Sequence, residues 1–584
     1  MKIINFSLNN FRCINGGIEK NSIDFENSNT IFIFGQNNVG KSTFLKAYDF
    51  FYKDESPKED DFFQKNQLNL MEFELEVQLD DDDEVKINEN SKKGDYLKKE
   101  YVSSLNRIKI KRTWQGYEDG KKIELKEVNT TLNPKTGDWD EKQYGGIGLF
   151  NVFKICLPVP ILIKAMPSEE ETTNILNDIL ASKADNFLKG GQKKELNDAI
   201  DTLNKLQEKM YDSQHVDEYK NNVNEQFQKL FDDIAIDFKE KDLKKFTPHS
   251  IGKKFEVVFC NLNDDKTKNE CIPDGYDKIG HGAIRVAMFT LFLMKDIAEG
   301  VKRVNNKKGY IVLFEEPELF LHPKLTKILR GLIYKVSDDS TPYQLLCASH
   351  SPQMIDITKP KSSLVRMVKS KTGTEVFQIG EEFLMDPKSK AIVKQELYEI
   401  IRFNPFACES FYADEVILVE GDTEAVLLRA YMQAEEPQKD IFIVNCGSVN
   451  NIPFFQKIFS KFHIKYHVIC DTDGHFTNKY DENGNPIFNS HIQKSIYEQI
   501  KKDCDDSNYC VGILRVHDVD FENAHRKISD QVLRFEFSDD DIKRNGKPYC
   551  ANEYWNKKLL DKINSDSIGN VPIIKYIKEI ITHK

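Results

Sequence analysis

Thr30-Ile31-Phe32-Ile33-Phe34-Gly35-Gln36-Asn37-Asn38-Val39-Gly40-Lys41-Ser42-Thr43 is the stretch on which the fold of this chain turns. Five apolar residues read as a buried strand, and Thr43-Phe44-Leu45-Lys46-Ala47-Tyr48 opens a helix. Between them lies GxxxxGK[ST], in the strand–loop–helix setting that the pattern requires. Glycine lets the backbone wrap closely around phosphate, and the exposed N–H groups at the helix start meet its negative charge. Gly35, Asn37, Asn38, Gly40, Lys41, Ser42 and Thr43 are therefore read as an ATP-binding loop. Lys41 is expected to reach the β- and γ-phosphates, and the Ser42 hydroxyl to hold Mg²⁺.

Two later strands complete this reading. Tyr310-Ile311-Val312-Leu313-Phe314 delivers Glu315 and Glu316 to its end. Glu315 is expected to hold the metal and Glu316 to polarise the attacking water. Leu345-Leu346-Cys347-Ala348-Ser349-His350 ends in a histidine placed to sense the γ-phosphate. Gly280 and Gly282 stand in Lys278-Ile279-Gly280-His281-Gly282-Ala283-Ile284-Arg285, ahead of an apolar helix.

The last third carries a different chemistry. Val416-Ile417-Leu418-Val419-Glu420-Gly421-Asp422-Thr423-Glu424 ends a strand in a glutamate, turns at glycine and starts a helix that Asp422 or Thr423 can cap. A second strand ends Val468-Ile469-Cys470-Asp471-Thr472-Asp473, whose alternation puts Asp471 and Asp473 on one side. With Ile441-Phe442-Ile443-Val444-Asn445 these strands suggest a parallel sheet with chemistry at its strand ends. Clustered carboxylates repel one another unless cations neutralise them, and hard oxygen ligands suit Mg²⁺ or Mn²⁺.

Composition bounds the remaining choices. The 584 residues suggest three or four structural units at ~100–200 residues each. No apolar stretch approaches the ~20 residues of a membrane span, and no secretory signal is expected. Eleven cysteines without a CxxC pair argue for reduced thiols and a cytoplasmic location. A net charge of −12 excludes a bulk-basic nucleic-acid binder, so any DNA footprint must be local. Lys109, Lys111 and Arg112 could touch a phosphate backbone, but read first as a solvated strand face. The acidic tract 80–84 reads as a solvated loop, and 481–485 as a surface turn. Leu196, Leu203 and Met210 stand seven apart, as in a coiled-coil seam or in the stripe of ordinary packed helices.

The three strand-end motifs resemble the ABC class of ATPases found in SMC-like and RecF-like proteins, and Leu321-His322-Pro323 resembles its D-loop. Glu315 stands where the class usually has Asp. The resemblance implies that each head supplies a signature loop to its partner's nucleotide; 278–285, with Gly280 and Gly282, is the closest local match, although it lacks the usual Ser-Gly-Gly. The VEG and DxD pair resembles the Toprim domain. LFEEPELFLHP followed by NPFACESFYADEVILVEGDTE resembles the OLD (overcoming lysogenisation defect) family over nearly the whole chain. That resemblance implies an ABC-type α/β head with a helical dimerisation insertion, then a Toprim domain with a Rossmann-like parallel sheet. The boundaries read as 1–167 and 246–384 for the two lobes of the head, 168–245 for the insertion, 385–412 for a connector and 413–584 for Toprim.

The family couples ATP binding to DNA cleavage or nicking with Mg²⁺ or Mn²⁺. Glu420, Glu424, Asp471 and Asp473 would act as metal ligands and catalytic groups. The resemblance adds Asp520 and Glu522 as further metal residues and Lys547 as a catalytic cation. Some members serve in anti-phage defence, in Gabija-type systems and with retrons. This implies a DNA substrate, a homodimer or higher oligomer, a defence partner protein or RNA/msDNA, and no membrane. The competing readings are an RNA-cleaving toxin, and an ATPase sensor or DNA-repair scaffold with a restrained Toprim domain.

Overall fold

The computed structural model describes residues 1–165, 213–240, 255–297, 309–380, 405–471 and 476–583, shorter gaps within these spans aside. It divides into two compact units, Met1–Val376 and Phe377–Lys584. The seam at Leu196, Leu203 and Met210, the connector residues up to 404, the 481–485 turn and Asp473 lie outside the described residues.

In the first unit one sheet holds the nucleotide motifs. Its strand order is Val159–Ile163, Tyr310–Glu315, Tyr343–Ala348, Thr30–Phe34, Ser362–Ser370, Gly373–Gly380. The first five strands pair parallel. Thr30–Phe34 and Tyr343–Ala348 are buried at every residue, as expected of parallel strands covered on both faces. The parallel register brings the ends of Thr30–Phe34, Tyr310–Glu315 and Tyr343–Ala348 side by side, so motifs more than 270 residues apart in sequence become neighbours.

A second, antiparallel sheet runs Ser22–Asp24, Lys2–Asn9, Met71–Gln78, Arg107–Asp119, Lys122–Leu132, Trp139–Asp140. The helix Lys41–Lys53 buries Phe44, Tyr48, Phe50 and Phe51 against it. Phe6 meets Phe44 and Tyr48 edge-on, and Phe50 meets Trp114 in the same manner at 5.7 Å. This aromatic packing anchors the helix whose first turn carries Lys41 and Ser42.

Three sequence expectations are corrected here. Ile234–Glu240, placed in a helical insertion, is a strand paired antiparallel to Phe255–Leu262. The alternation in Ile234-Ala235-Ile236-Asp237-Phe238 has the period of a strand. Asn224, on the helix Ser213–Phe227, fixes it by exchanging two hydrogen bonds with the Ile236 backbone. Arg112 is not on a solvated face: it is buried and donates to Glu127 from Nε and Nη2. Lys109 and Lys111 are paired with Glu74 on the neighbouring strand. Asp83, in the acidic tract, is buried and pairs with the Met1 amine at 2.7 Å; its carboxylate accepts from the Asp80 N–H, and its own N–H donates to the Asp80 carboxylate.

The second unit is built on a four-stranded parallel sheet, ordered Ile441–Asn445, Glu415–Val419, Lys465–Asp471, Val511–His517. Ile417, Val419, Leu427, Leu428, Ile573 and Ile577 join the sheet to the helices Asp422–Glu435 and Pro572–Thr582 in one core. The parallel register lines up the strand ends at Val419, Asp471 and His517.

Candidate nucleotide site and candidate metal centre

The phosphate loop has the backbone its sequence requires. Gly35, Asn38 and Gly40 sit at φ of 142°, 61° and 104°. A Cβ at Gly35 would lie 2.4 Å from the Met367 carbonyl oxygen, and one at Gly40 2.8 Å from Cys13 Sγ. Neither position tolerates a side chain. Lys41 Nζ curls back over the loop and donates to the carbonyls of Gly35 (2.8 Å) and Gln36 (2.6 Å). Burial lowers its pKa to about 8, while Glu316 and Glu318 oppose that shift. Asn37 and Asn38 are exposed, and Ser42 and Thr43 half-buried.

Glu315 is buried at its strand end, with Lys46 Nζ 3.0 Å from Oε1, off the hydrogen-bonding direction. Glu316 follows at a positive φ of 44°, and His350 Nε2 stands 3.4 Å from its Oε1. Burial lowers the His350 pKa, with Lys41 acting in the same sense and Glu316 against it. These three motifs therefore share one space around Lys41.

Two residues of this site escaped sequence reading. Glu318 accepts from Ser349 Oγ at 3.0 Å and from the His350 backbone N–H at 2.7 Å, clamping the histidine strand to the turn after Glu316. Arg285, on the helix His281–Ile297, is buried and donates to the carbonyls of Glu315, Glu316 (2.5 Å) and Leu319 (3.3 Å). Gly282 lets that helix approach: a Cβ there would lie 2.8 Å from the Phe320 oxygen. Gly280 is exposed ahead of the same helix and accepts from the Ala283 N–H.

An unmade hydrogen bond to a buried carbonyl costs ~1–3 kcal/mol, and Arg285 serves three. Arg285→Leu is therefore expected to lower the melting temperature of the head by several degrees. Thermal denaturation of the variant and the parent checks this, and equal melting points would remove Arg285 from the support of the Glu316 turn.

In the second unit, the strand Glu415–Val419 runs directly into Glu420, and Gly421 caps the helix Asp422–Glu435. Neither Asp422 nor Thr423 is the cap: Asp422 accepts from Asn445 Nδ2 at 2.7 Å, and Thr423 is buried. The sharp turn at glycine already places the helix N–H groups, so the carboxylate turns to the neighbouring strand. Glu424, one turn later, is 3% exposed. Burial raises its pKa to about 7, with Asp471 adding to the shift.

Asp471 ends its strand beside these groups, its N–H donating to Glu420 Oε2 at 3.4 Å. Opposite it in the ladder is His517, whose Nδ1 lies 2.9 Å from Asp471 Oδ1 and 4.0 Å from Glu424 Oε1. Glu424, Asp471 and His517 each offer a ligand atom within 4.8 Å of the others. Burial lowers the His517 pKa to about 4, so its ring is neutral at physiological pH. No sequence signal singled out His517, because its neighbours come from strands whose order the sequence does not print.

The third group of candidates divides. Glu522 is buried on the short helix Phe521–Arg526, with Lys547 Nζ 3.4 Å from Oε1. Burial opposes the Lys547 charge, but Glu522, Glu424 and Asp471 together raise its pKa, so the ammonium faces the acidic cluster. Asp520 caps that helix, and both its oxygens accept from Asn523. Its geometry is that of a structural cap.

A buried carboxyl held up near neutrality beside a second carboxylate is a group short of positive charge. Glu522 Oε1 and His517 Nε2 are buried without a hydrogen-bond partner. The donor set therefore fits a divalent cation, with Glu424 and Asp471 facing one another and Glu420 beside them.

Fold and sites together define an ABC-type ATPase head joined to a Toprim domain. The AAA ATPase domain family matches residues 1–355, and the family described as overcoming lysogenization defect protein-like, TOPRIM domain, matches residues 411–473. The chain belongs to the OLD family of ATPase–TOPRIM proteins. It is 22% identical to the Old nuclease of Escherichia phage P2 over 43% of this chain and 41% of that protein. It is 21% identical to endonuclease GajA of Bacillus cereus strain VD045, over 76% of this chain and 71% of that protein. A third relative, the OLD nuclease of Thermus scotoductus, is 26% identical over 30% of this chain and 33% of that protein. The chain thus spans less than half of two of these relatives. The Smc head domain of Pyrococcus yayanosii overlays 65% of this chain and 98% of that one, at a TM-score of 0.38 and 12% identity.

Proposed function

We propose that this protein is an ATP-binding, divalent-metal-dependent DNA endonuclease or nickase that serves anti-phage defence. The observation that carries the reading is the convergence of Glu420, Glu424, Asp471, Glu522 and Lys547 at the ends of one parallel sheet. Carboxylates from two strand ends and two helices meet there with one lysine directed at them. Glu420, Glu424 and Asp471 would hold the cation, with Asp473 from the same motif and Glu522 beside them. A bound Mg²⁺ or Mn²⁺ would polarise a phosphate oxygen and lower the pKa of water. Lys547 balances charge building on the scissile phosphate. Glu424, whose carboxyl holds a proton near neutrality in the free site, can exchange that proton on loading.

In the head, Lys41 and Ser42 serve the β- and γ-phosphates and the nucleotide metal. Glu316 orients the attacking water, and His350 senses the γ-phosphate through its proximity to Glu316. The names of the relatives, Old nuclease and endonuclease GajA, support nuclease activity. Among the described residues no helix is long and apolar enough to cross a membrane.

The decisive experiment incubates purified protein with supercoiled plasmid, linear DNA and RNA, each with Mg²⁺ or Mn²⁺, with and without ATP. Plasmid nicking or linearisation that disappears on chelation is expected. Cleavage of RNA alone would replace this reading with that of an RNA-cleaving toxin.

Assembly follows from the head. Gly280 and Gly282 lie at the start of the helix His281–Ile297, whose first turn would act on a partner's nucleotide, so a homodimer at minimum is expected, with 168–245 as a second contact surface. Mass photometry at nanomolar concentration, with and without ATP and Mg²⁺, should show a species at twice the 67.7 kDa chain mass. A single monomeric species in both conditions would remove the proposed role of Gly280 and Gly282.

A further inference from the structure

The nuclease reading leaves His517 without a task, although its Nδ1 lies 2.9 Å from Asp471 Oδ1. It ends the strand Val511–His517, and its Cα is paired with that of Asp471 across the parallel ladder. Side chains of paired residues on adjacent strands stand on the same face. The ring is fully buried and enclosed by three others: Phe521 edge-on at 5.4 Å and 89°, His525 at 5.4 Å and Tyr576 at 5.4 Å. Its orientation is therefore held before any ligand arrives, the condition for a preorganised site.

The spacing of its Nδ1 is informative. A hard divalent cation with octahedral bonds of ~2.1 Å holds adjacent ligand atoms about 3 Å apart and opposite ones about 4.2 Å apart. Nδ1 lies 2.9 Å from Asp471 Oδ1 and 4.0 Å from Glu424 Oε1. One cation could thus meet all three atoms with little movement of the side chains.

The neighbouring histidine supplies the contrast. His525 is fully bonded, with Nδ1 donating to the Phe521 carbonyl at 2.8 Å and Nε2 accepting from the Ile573 N–H at 3.2 Å. His517, equally buried, bonds only on the side of the acidic cluster, and its Nε2 has no hydrogen-bond partner. A buried nitrogen left so costs ~1–3 kcal/mol. The nitrogen of His517 that does have neighbours is Nδ1, and both of them are carboxylates of the acidic cluster, Asp471 and Glu424.

We propose that His517 is a nitrogen ligand of the metal centre, through Nδ1 beside Glu424 and Asp471, so that the centre takes Mn²⁺ in preference to Mg²⁺. This rests on the metal-centre reading above. Mg²⁺ favours oxygen ligands and keeps its waters, whereas imidazole suits transition metals. Replacing one oxygen by nitrogen therefore shifts the preference toward Mn²⁺.

The test uses the full chain, nucleotide-free, with substoichiometric Mn²⁺ and pulsed electron paramagnetic resonance. The expected spectrum shows modulation from a directly bound imidazole ¹⁴N, which changes to the ¹⁵N pattern when the protein is labelled with ¹⁵N-histidine. It is lost in His517→Gln and retained in His350→Gln. In the same His517→Gln protein, Mn²⁺ affinity should fall about tenfold or more, and Mg²⁺ affinity much less. His517→Asn repeats the measurement if the glutamine variant does not fold. Bound Mn²⁺ without nitrogen modulation, or modulation that survives loss of His517, would overturn the assignment while leaving the carboxylate centre in place. Wild-type protein that binds no Mn²⁺ would overturn both the ligand and the centre.

Discussion

Asp471→Ala is expected to lower plasmid cleavage by about 10³-fold or more, while ATP binding to the head stays at the wild-type level. The magnitude follows from the charge balance of the site. A polarising cation is worth several kcal/mol to the reaction, and each ~1.4 kcal/mol is a factor of ten in rate. Asp471 is central to its retention, lying 2.9 Å from His517 Nδ1 and raising the pKa of Glu424 through its charge. Glu420→Ala should show the same loss, because the Glu420 carboxylate accepts from the Asp471 N–H. Supercoiled plasmid assayed with Mn²⁺ and with Mg²⁺ provides the measurement, and a calorimetric ATP titration provides the control. Cleavage by either variant at the wild-type rate with metal present would sink the assignment of the site. Loss of ATP binding along with cleavage would point to misfolding instead.

The second large effect belongs to the phosphate loop. Lys41→Ala is expected to weaken ATP binding by roughly 10–150-fold, the equivalent of one charge-assisted hydrogen bond of ~1.5–3 kcal/mol. Lys41 Nζ also donates to the Gly35 and Gln36 carbonyls, which compete with phosphate for its protons. Phosphate must draw the ammonium away from those oxygens, so the net effect falls below the gross strength of the bond. Glu316→Gln, in contrast, should leave affinity unchanged and slow turnover, because Glu316 would orient water and not the nucleotide. Titration calorimetry of the three proteins separates these outcomes. Unchanged ATP affinity in Lys41→Ala would count decisively against this loop as the nucleotide site.

Much of this architecture was legible in the amino-acid order. Thr30–Phe34 followed by glycine, lysine and serine specifies a strand, a phosphate cradle and a helix, since each residue's local chemistry permits little else. The acidic ends of Tyr310–Glu315, Glu415–Val419 and Lys465–Asp471 were legible for the same reason: apolar runs must be buried, and the first charged residue marks where each emerges. Local patterning failed where two periods compete, as in Ile234–Glu240, a strand inside a stretch that reads as helical. It also failed at Asp83, whose burial depends on the Met1 amine 82 residues away along the chain.

The remaining decisions belong to the tertiary structure. His517 becomes a neighbour of Asp471 because the sheet places Val511–His517 beside Lys465–Asp471, a strand order that no local pattern encodes. Arg285 reaches the Glu316 turn only because Gly282 lets one helix touch the backbone after Phe320. Asp520 and Glu522 are two residues apart in sequence, yet one is used up in capping a helix and the other is buried facing Lys547. Sequence determines which residues can carry chemistry, because that follows from side-chain type and local backbone. Which of them share a site depends on strand order and helix docking, whose stabilisation comes from burying surfaces far apart in the chain.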